Sequence, residues 1–214
     1  MIGQAISKNS FILTVFALCT AGLLAVTFQG TKKSIAASER SAAQKALLEV
    51  VAPDQHDNDM LVDLVAIPQA NLKQLGLRSQ ENIHIAKKNN EVVAVIVPSV
   101  APDGYSGAIR MIVGVWENGD IAGVRILTHN ETPGLGDKVD LKKSDWVLSF
   151  NGKSLTAPSL WAVKKDGGEF DQFTGATITP RAVVKQVEKA LQFVQANHST
   201  LFDPTPTTEQ ANSQ

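Results

Sequence analysis

Residues 171–194 read DQFTGATITPRAVVKQVEKALQFV and join a hydroxyl-rich loop to the clearest amphipathic helix of the chain. Thr179 is the predicted N-cap and Pro180 the first helical residue, where its missing N–H costs nothing. Asn197 is the predicted end of the helix. The apolar side chains that recur at helical spacing, and so predict one buried stripe, are Val183, Val184, Val187, Ala190, Leu191 and Val194.

Two β-hairpins are predicted upstream of this helix. The turn of the first is Lys88-Asn89-Asn90, and the turn of the second contains Asn118-Gly119, a dipeptide favoured where both turn residues need positive φ. Strands followed by a final helix predict an α+β domain with a mostly antiparallel sheet and flanking helices. The predicted strands are residues 83–86, 92–97, 108–116 and 121–127.

The N-terminal segment 11–28 carries no charge and, with Gln29 and Gly30, is just long enough to span a membrane as a helix. A cleavable signal peptide is the competing interpretation, but the apolar run is longer than usual and no clear A-x-A site follows it. The few flanking lysines do not decide the orientation. The predicted division is an anchor at 1–30, a helical stalk or linker at 31–60, a globular domain at 61–199 and a disordered tail at 200–214.

Composition narrows the possible chemistry. A formal net charge of −1 gives no indication of a nucleic-acid partner. With Cys19 as the one cysteine, the chain can form no internal disulfide and cannot by itself build a cysteine-held iron–sulfur cluster or zinc site. The four histidines are scattered, so no metal site is predicted. Any electron carrier in this chain is therefore expected to be organic.

The loop before the final helix has the properties of an anion-binding segment. Gly175 and Ala176 leave its backbone uncrowded, and Thr174, Thr177 and Thr179 offer hydroxyls. It leads into a helix N-terminus, where free N–H groups and the helix dipole favour a phosphate. A simple capped helix with an ordinary loop before it is the alternative interpretation.

The residues Asp171-x-x-Thr174-Gly175-Ala176-Thr177 resemble the flavinylation motif of the FMN-binding domain family. In that family an FAD-dependent transferase moves FMN onto the hydroxyl of the last motif threonine, which here is Thr177. Other segments that resemble the family occur in the same order along the chain: APDGYSG at 101–107, HNETPGLGD at 129–137, SDW at 144–146 and WAVKKDGGEFDQFTGATIT at 161–179.

This resemblance implies a membrane-anchored electron-transfer subunit with covalent FMN, joined to Thr177 by a phosphoester bond. The similarity is to the branch of the family found in Rnf/Rsx ion-translocating oxidoreductase complexes, which couple electron transfer to ion movement. The implied partners are the other membrane subunits of such a complex and, during maturation, the transferase. The implied location is the bacterial inner membrane, with one span and the soluble domain on the periplasmic side. No independent turnover is expected.

The resemblance also assigns roles around the motif. Thr174, Gly175 and Ala176 are expected to shape the approach of the cofactor, and Asp171 is expected either to be recognised by the transferase or to stabilise a turn. Lys164 and Lys165 either approach the phosphate or face solvent, and Lys165 is taken as a candidate contact. A second loop, at residues 131–136, contains two glycines and is expected to contact the flavin. Its candidate contacts are Glu131, Thr132, Gly134, Leu135 and Gly136.

Two other functions compete with this assignment. The first is an anchored assembly or sensing module that binds flavin reversibly or not at all. The second is a hydrolase with Thr177 as nucleophile, for which the sequence offers no oriented base. His129 and Glu131 suggest an acid–base pair, but outer-sphere electron transfer needs none, so a surface or hydrogen-bonding role is expected. Trp146 and Trp161 are expected in the core.

Overall fold

The computed structural model describes residues 2–157 and 160–203, and the chain divides into two compact units, Met1–Ala43 and Gln44–Gln214. The larger unit contains an antiparallel sheet with helices packed against it, so the predicted α+β class is confirmed. The helices and strands are α1 (Ile2–Val50), β1 (Leu64–Ala66), β2 (Asn82–Lys88), β3 (Glu91–Ala101), β4 (Ile109–Trp116), β5 (Ile121–Thr128), α2 (Ile178–Ala196) and α3 (His198–Phe202).

The smaller unit is the helical segment of α1 up to Ala43. Within it Ser10–Lys32 has a mean hydropathy of 2.3 and none of its most apolar part is buried. By length and composition this segment can cross a membrane. Its threonines satisfy their hydroxyls inside the helix, as when Thr14 and Thr27 donate to the carbonyl oxygens of Ser10 and Leu23, each at 2.8 Å. Such bonds allow polar side chains to be tolerated in hydrocarbon.

The five strands form a meander in the order β1-β2-β3-β4-β5, with every neighbouring pair antiparallel. Asn89 and Asn90 both have positive φ in the β2–β3 turn, at 53° and 68°. In the β4–β5 turn the expectation of two positive φ values is wrong, because only Gly119 is left-handed, at 87°. The Asn118 side chain instead accepts a hydrogen bond from Asp120 N–H at 3.0 Å, as in a longer hairpin loop with a terminal left-handed glycine.

Helix α2 packs on one face of the sheet, and the predicted apolar stripe is confirmed. Its stripe residues Val183, Val187, Ala190 and their neighbours are fully buried against strand residues such as Val97 and Val113. Asn197 follows the last residue of α2, as expected. The alternation of side chains along each strand explains why every second residue joins this core.

The opposite face of the sheet receives the C-terminal end of α1. Leu47 and Val50 are buried there in a separate apolar cluster. A side chain at Gly114 would collide with the Val50 side chain, so glycine permits this close packing. Arg125 of β5 then donates to the main-chain oxygen of Glu49 at 2.7 Å, which satisfies a carbonyl group at the helix end.

Two predicted boundaries differ from the structure. The packed unit begins at Gln44, earlier than residue 61, because the last turns of α1 contribute to the core. The tail expected to be disordered from Thr200 is helical as far as Phe202, and Leu201 and Phe202 are buried. These two apolar residues supply the packing that a polar tail lacks. Residues 204–214 of that prediction lie outside the described part of the chain.

Candidate flavin-attachment site

The motif forms a tight turn. Ala176 N–H donates to the carbonyl oxygen of Phe173 at 3.1 Å, and Gly175 has φ of 82°. This left-handed conformation is readily adopted only by glycine, which explains its place between the two threonines. Thr174 is exposed at the turn, and Ala176 is half-buried. The small residues therefore leave this turn open on its outer side.

Helix α2 begins at Ile178 with Thr177 in the N-cap position, so the prediction of Thr179 as N-cap and Pro180 as first helical residue is wrong. The Thr179 hydroxyl donates instead to Oε2 of Glu131 from a fully buried position. This hydrogen bond is charge-assisted, and it holds the Thr179 side chain inside the first turn of the helix. Pro180 still lies in the first turn, where its N–H would have no acceptor within the helix.

The Thr177 hydroxyl does not cap the helix that begins after it. Its backbone is in the right-handed helical region, with φ of −75° and ψ of −25°, and its hydroxyl makes no capping hydrogen bond. Its carbonyl oxygen accepts the first main-chain bond of the helix, from Arg181 N–H at 3.3 Å. Thr177 is half-buried, whereas Thr174 is exposed and Thr179 is buried and bonded. Thr177 and Thr174 are therefore the two accessible hydroxyls of the motif.

The glycine loop, residues 131–136, lies beside this turn. The carbonyl oxygen of Thr132 accepts from the N–H groups of Leu135 and Gly136, each at 3.1 Å, and Gly134 has φ of 77°. The side chain of Leu135 is 42% exposed, and its Cδ2 lies 3.6 Å from where a Cβ on Gly175 would be. The structure thus places the tip of the loop, with its exposed leucine, directly against the motif turn.

Glu131 differs from the other candidate flavin contacts because its carboxylate is used inside the protein. The residue is 4% exposed, and its Oε1 accepts a hydrogen bond from Ser106 N–H at 2.9 Å. Its Oε2 accepts from Thr179, and its own N–H donates to Nδ1 of His129 at 3.1 Å. His129 and Glu131 are therefore neighbours joined through the main chain, without a contact between the two side-chain functional groups.

Two ion pairs flank the motif. Nζ of Lys164 lies 2.7 Å from Oδ1 of Asp171. Arg181 binds Asp166 through two nitrogens, one of them Nη2 at 2.6 Å from Oδ1. The hydrogen bond from Arg181 lowers the pKa of Asp166 below its ordinary value, and the same bond raises the pKa of Arg181. Lys165 has an exposed side chain, and its N–H donates to Oε1 of Gln172 at 3.2 Å.

Buried aromatic side chains pack against the motif turn. Trp146 packs edge-on against Phe173 with ring centroids 5.1 Å apart, and its Nε1 donates to the carbonyl oxygen of Asp171 at 2.7 Å. Trp161 stacks on Phe150 at 6.3 Å. Both tryptophans are buried, as predicted. Ser144 caps the short 3-10 helix Asp145–Phe150 by accepting from the main-chain N–H of Trp146 at 3.1 Å.

Sequence reasoning missed three of these side-chain pairings. Ser106 and Thr179 are the partners of Glu131, and no local pattern connects either of them with it. Pairings across separations of 25 and 48 residues leave no local signal. The Asp166–Arg181 pair was also missed, although opposite charges on either side of a predicted loop gave a weak indication.

Comparisons with known proteins show which family the sequence belongs to. A family model described as the FMN-binding domain matches residues 104–192, and a model described as the RnfG N-terminal region matches residues 1–50. The chain is 48% identical over 201 residues to the G subunit of the ion-translocating oxidoreductase complex of Vibrio atlanticus, covering 93% of this chain and 95% of that protein. It is 47% identical over 203 residues to the protein of the same name from Pseudomonas aeruginosa strain UCBPP-PA14, covering 94% of each.

A third relative of the same name, from Shewanella amazonensis, is 46% identical over 202 residues and is covered to 93% of its length. Similarity at this level over nearly the whole length of each protein includes the apolar N-terminal helix as well as the globular domain. The chain therefore belongs to the family of G subunits of ion-translocating oxidoreductase complexes and contains that family's FMN-binding domain.

Proposed function

We propose that this chain is a membrane-anchored electron-transfer subunit of an ion-translocating oxidoreductase complex and that it carries one FMN as a phosphoester of Thr177. The relatives are subunits of such complexes by name, and the FMN-binding domain model covers the motif turn. When bound, FMN supplies an isoalloxazine ring that accepts and releases electrons. The protein's own task is to hold that ring where neighbouring subunits can reach it.

The observation that carries the proposal is the state of the Thr177 hydroxyl. It stands at the N-terminus of α2, makes no capping hydrogen bond, and follows a turn kept open by Gly175. An N-cap threonine usually accepts a hydrogen bond from the helix, so an uncommitted one is available for another use. Thr179, the other hydroxyl of the first turn, is buried and bonded to Glu131 and is not available.

The surroundings of Thr177 suit a phosphate. The N–H groups of Ile178 and Thr179 belong to the first turn and have no acceptor within the helix. The dipole of α2 places partial positive charge at the same end. Lys165 has an exposed side chain and is a candidate contact for the phosphate, whereas the Arg181 guanidinium is already paired with Asp166. The free N–H groups and the helix dipole favour an anion at Thr177, and the exposed Leu135 is an apolar contact for a flat ring.

The attachment reaction balances as a transfer from FAD. Oγ1 of Thr177 forms a bond to the phosphorus of the FMN half, the phosphoanhydride bond breaks, and AMP leaves with the bridging oxygen. The hydroxyl proton is released to a base of the transferase, and no electron is transferred. Asp171 supports this step in one of two ways. Its exposed carboxylate is either recognised by the transferase or stabilises the turn through its ion pair with Lys164.

The proposed location of the globular domain is the periplasmic side of the inner membrane, with the other complex subunits as partners. This side follows from family resemblance, since the lysines that flank the span do not decide the orientation. A cysteine placed at exposed Ser149, in a Cys19→Ala background, provides the test. Labelling by a membrane-impermeant maleimide in intact cells is expected. Labelling only after the cells are opened would place the domain in the cytoplasm.

The decisive experiment is the mass of the denatured chain after co-expression with the FAD-dependent transferase. The chain is expected to gain the mass of one FMN less one water, and peptide mapping is expected to place the addition on Thr177. Thr177→Val should lose both the addition and the in-gel flavin fluorescence. Thr156→Val, at an exposed threonine outside the motif, is the matched control and should keep both.

The same mass measurement tests the first competing function, and a turnover assay tests the second. An anchored assembly or sensing module would show flavin absent, or lost on denaturation, in the parent chain. A hydrolase with Thr177 as nucleophile would need a general base. The nearby buried carboxylate of Glu131 is already bonded to Ser106 and Thr179. Turnover of a phosphoester substrate that depends on Thr177 would favour the hydrolase and contradict the flavin proposal.

A further inference from the structure

Glu131 lies at the meeting point of three segments that are far apart in the sequence. It follows β5 and opens the glycine loop, while its carboxylate binds Ser106 of the β3–β4 loop and Thr179 of α2. Two glycines make the space for it. A Cβ on Gly136 would lie 2.8 Å from both Oε2 of Glu131 and Oγ1 of Thr179, and a Cβ on Gly104 would lie 3.0 Å from Oε1 of Glu131.

We infer that Glu131 is a positioning residue, and that its carboxylate clamps the glycine loop to the first turn of α2 so that Leu135 is held against the flavin esterified at Thr177. This inference rests on the proposed function and deepens it. It replaces the expectation that the Glu131 side chain is itself a flavin contact, because both carboxylate oxygens are occupied within the protein.

The hydrogen bond between Glu131 and Thr179 is expected to position the flavin ring without affecting the attachment of FMN to Thr177. The motif turn has supports of its own, namely the Ala176 to Phe173 main-chain bond and the Trp146 bond to the Asp171 carbonyl oxygen. The glycine loop, by contrast, consists mostly of exposed residues, and its internal bonds converge on the carbonyl oxygen of Thr132. The C-terminal end of the loop packs on α2 through the buried Gly136 and Val139, and the bond between Glu131 and Thr179 fixes its N-terminal end to the same helix.

The matched variants are Thr179→Val, which removes the hydroxyl while keeping the shape, and Thr179→Ser, which keeps the hydroxyl. They are made in the full chain, co-expressed with the transferase and purified in detergent. Both are expected to carry FMN on Thr177. In Thr179→Val the iodide quenching of flavin fluorescence should rise and its anisotropy should fall. Amide exchange across residues 131–137 should also speed up, by roughly tenfold for loss of one bond to a charged acceptor.

Thr179→Ser should restore all three values to those of the parent, provided that all proteins are measured well below their melting temperatures. Should Thr179→Val fail to fold, Glu131→Asp serves instead. It keeps the charge but shortens the side chain by one methylene group, and the same increase in quenching is expected. Unchanged quenching and exchange in the variant that folds would overturn the clamp.

Three further outcomes separate this inference from the proposed function. Loss of the FMN addition in folded Thr179→Val would show that the bond serves attachment, and the inference would be wrong while Thr177 kept its role. A parent chain without any FMN addition would contradict the proposed function itself. A fully modified parent with variants indistinguishable from it would contradict the clamp alone.

Discussion

The indole Nε1 of Trp146 donates a 2.7 Å hydrogen bond to the main-chain carbonyl oxygen of Asp171, the first residue of the motif. This bond fixes the backbone where the motif begins and leaves the Asp171 side chain on the surface, paired with Lys164. The turn is therefore built on a rigid aromatic support while its chemistry-bearing groups stay accessible. An enzyme that modifies Thr177 would meet a pre-formed turn.

Replacing Trp146 by Phe should weaken this support. The lost hydrogen bond is expected to cost about 1 kcal/mol of unfolding free energy beyond the lost ring volume. The extent of flavin attachment should fall as the start of the motif loosens. Trp161→Phe is the matched control, because its buried Nε1 has no hydrogen-bond partner within the described residues. Denaturant unfolding of both variants gives the difference, and equal losses would contradict a role for the Asp171 bond.

Replacing Gly175 by Ala should strain the motif turn. At φ of 82° an alanine is expected to cost about 1 kcal/mol, although the nearest atom to its Cβ, in Leu135, lies at an ordinary 3.6 Å. Gly152→Ala is a control with the same kind of strain, at φ of 72° and with nothing within 4 Å of the new Cβ. Both variants should lose similar stability, but only Gly175→Ala should slow FMN attachment in a time course with the transferase.

The Asp166–Arg181 pair predicts a pH dependence of stability. Because Arg181 lowers the pKa of Asp166 in the folded chain, the stabilisation is present above the unfolded value of 3.8 and is lost as the pH falls through the folded value. The difference in unfolding free energy between the parent and Asp166→Asn should be constant near neutral pH and shrink in acid. A double-mutant cycle with Arg181→Gln isolates the pair, and its coupling should also fall at high salt.

Removing the hydroxyl of Thr179 should destabilise the domain as well as free the glycine loop. Thr179→Val leaves one oxygen of the buried Glu131 carboxylate without a donor, at an expected cost of about 1–3 kcal/mol. Thr179→Ser keeps the donor and loses only a methyl group, so it should cost about 1 kcal/mol or less. Chemical denaturation of the two variants checks this order, and a less stable Thr179→Ser would contradict it.

The position of the domain boundary can be tested by truncation. A chain starting at Gln44 should stay in the soluble fraction and unfold cooperatively, because it retains the packed end of α1. A chain starting at Leu61 lacks the buried Leu47, Val50 and Val51 and should lose about 5 kcal/mol. Circular dichroism and thermal unfolding of the two chains give the comparison. Equal melting temperatures would move the boundary back towards residue 61.

The sequence alone was sufficient for the elements with strong local signals. The stripe of α2, the two hairpins and the apolar N-terminal helix each follow from a periodic pattern or a turn dipeptide within a few residues. The sequence-based predictions failed where a side chain has a partner that is distant in the sequence. Thr179 has the chemistry of an N-cap, but it lies inside the first turn of a helix that begins at Ile178, and its hydroxyl donates to the distant Glu131. The short strand β1 was also missed, since its residues 64–66 are too few to show alternation.

Taken by itself, the sequence determined which residues can carry the chemistry: three threonines and a glycine around the start of a helix, in a chain with one cysteine and no clustered histidines. Only the tertiary structure decided among them. It left the Thr177 hydroxyl without a capping bond, buried that of Thr179, and turned Glu131 inward between two loops and a helix. The reason is that residue type and spacing act locally, whereas the partner of a buried polar group is chosen by segments that meet only in the folded chain.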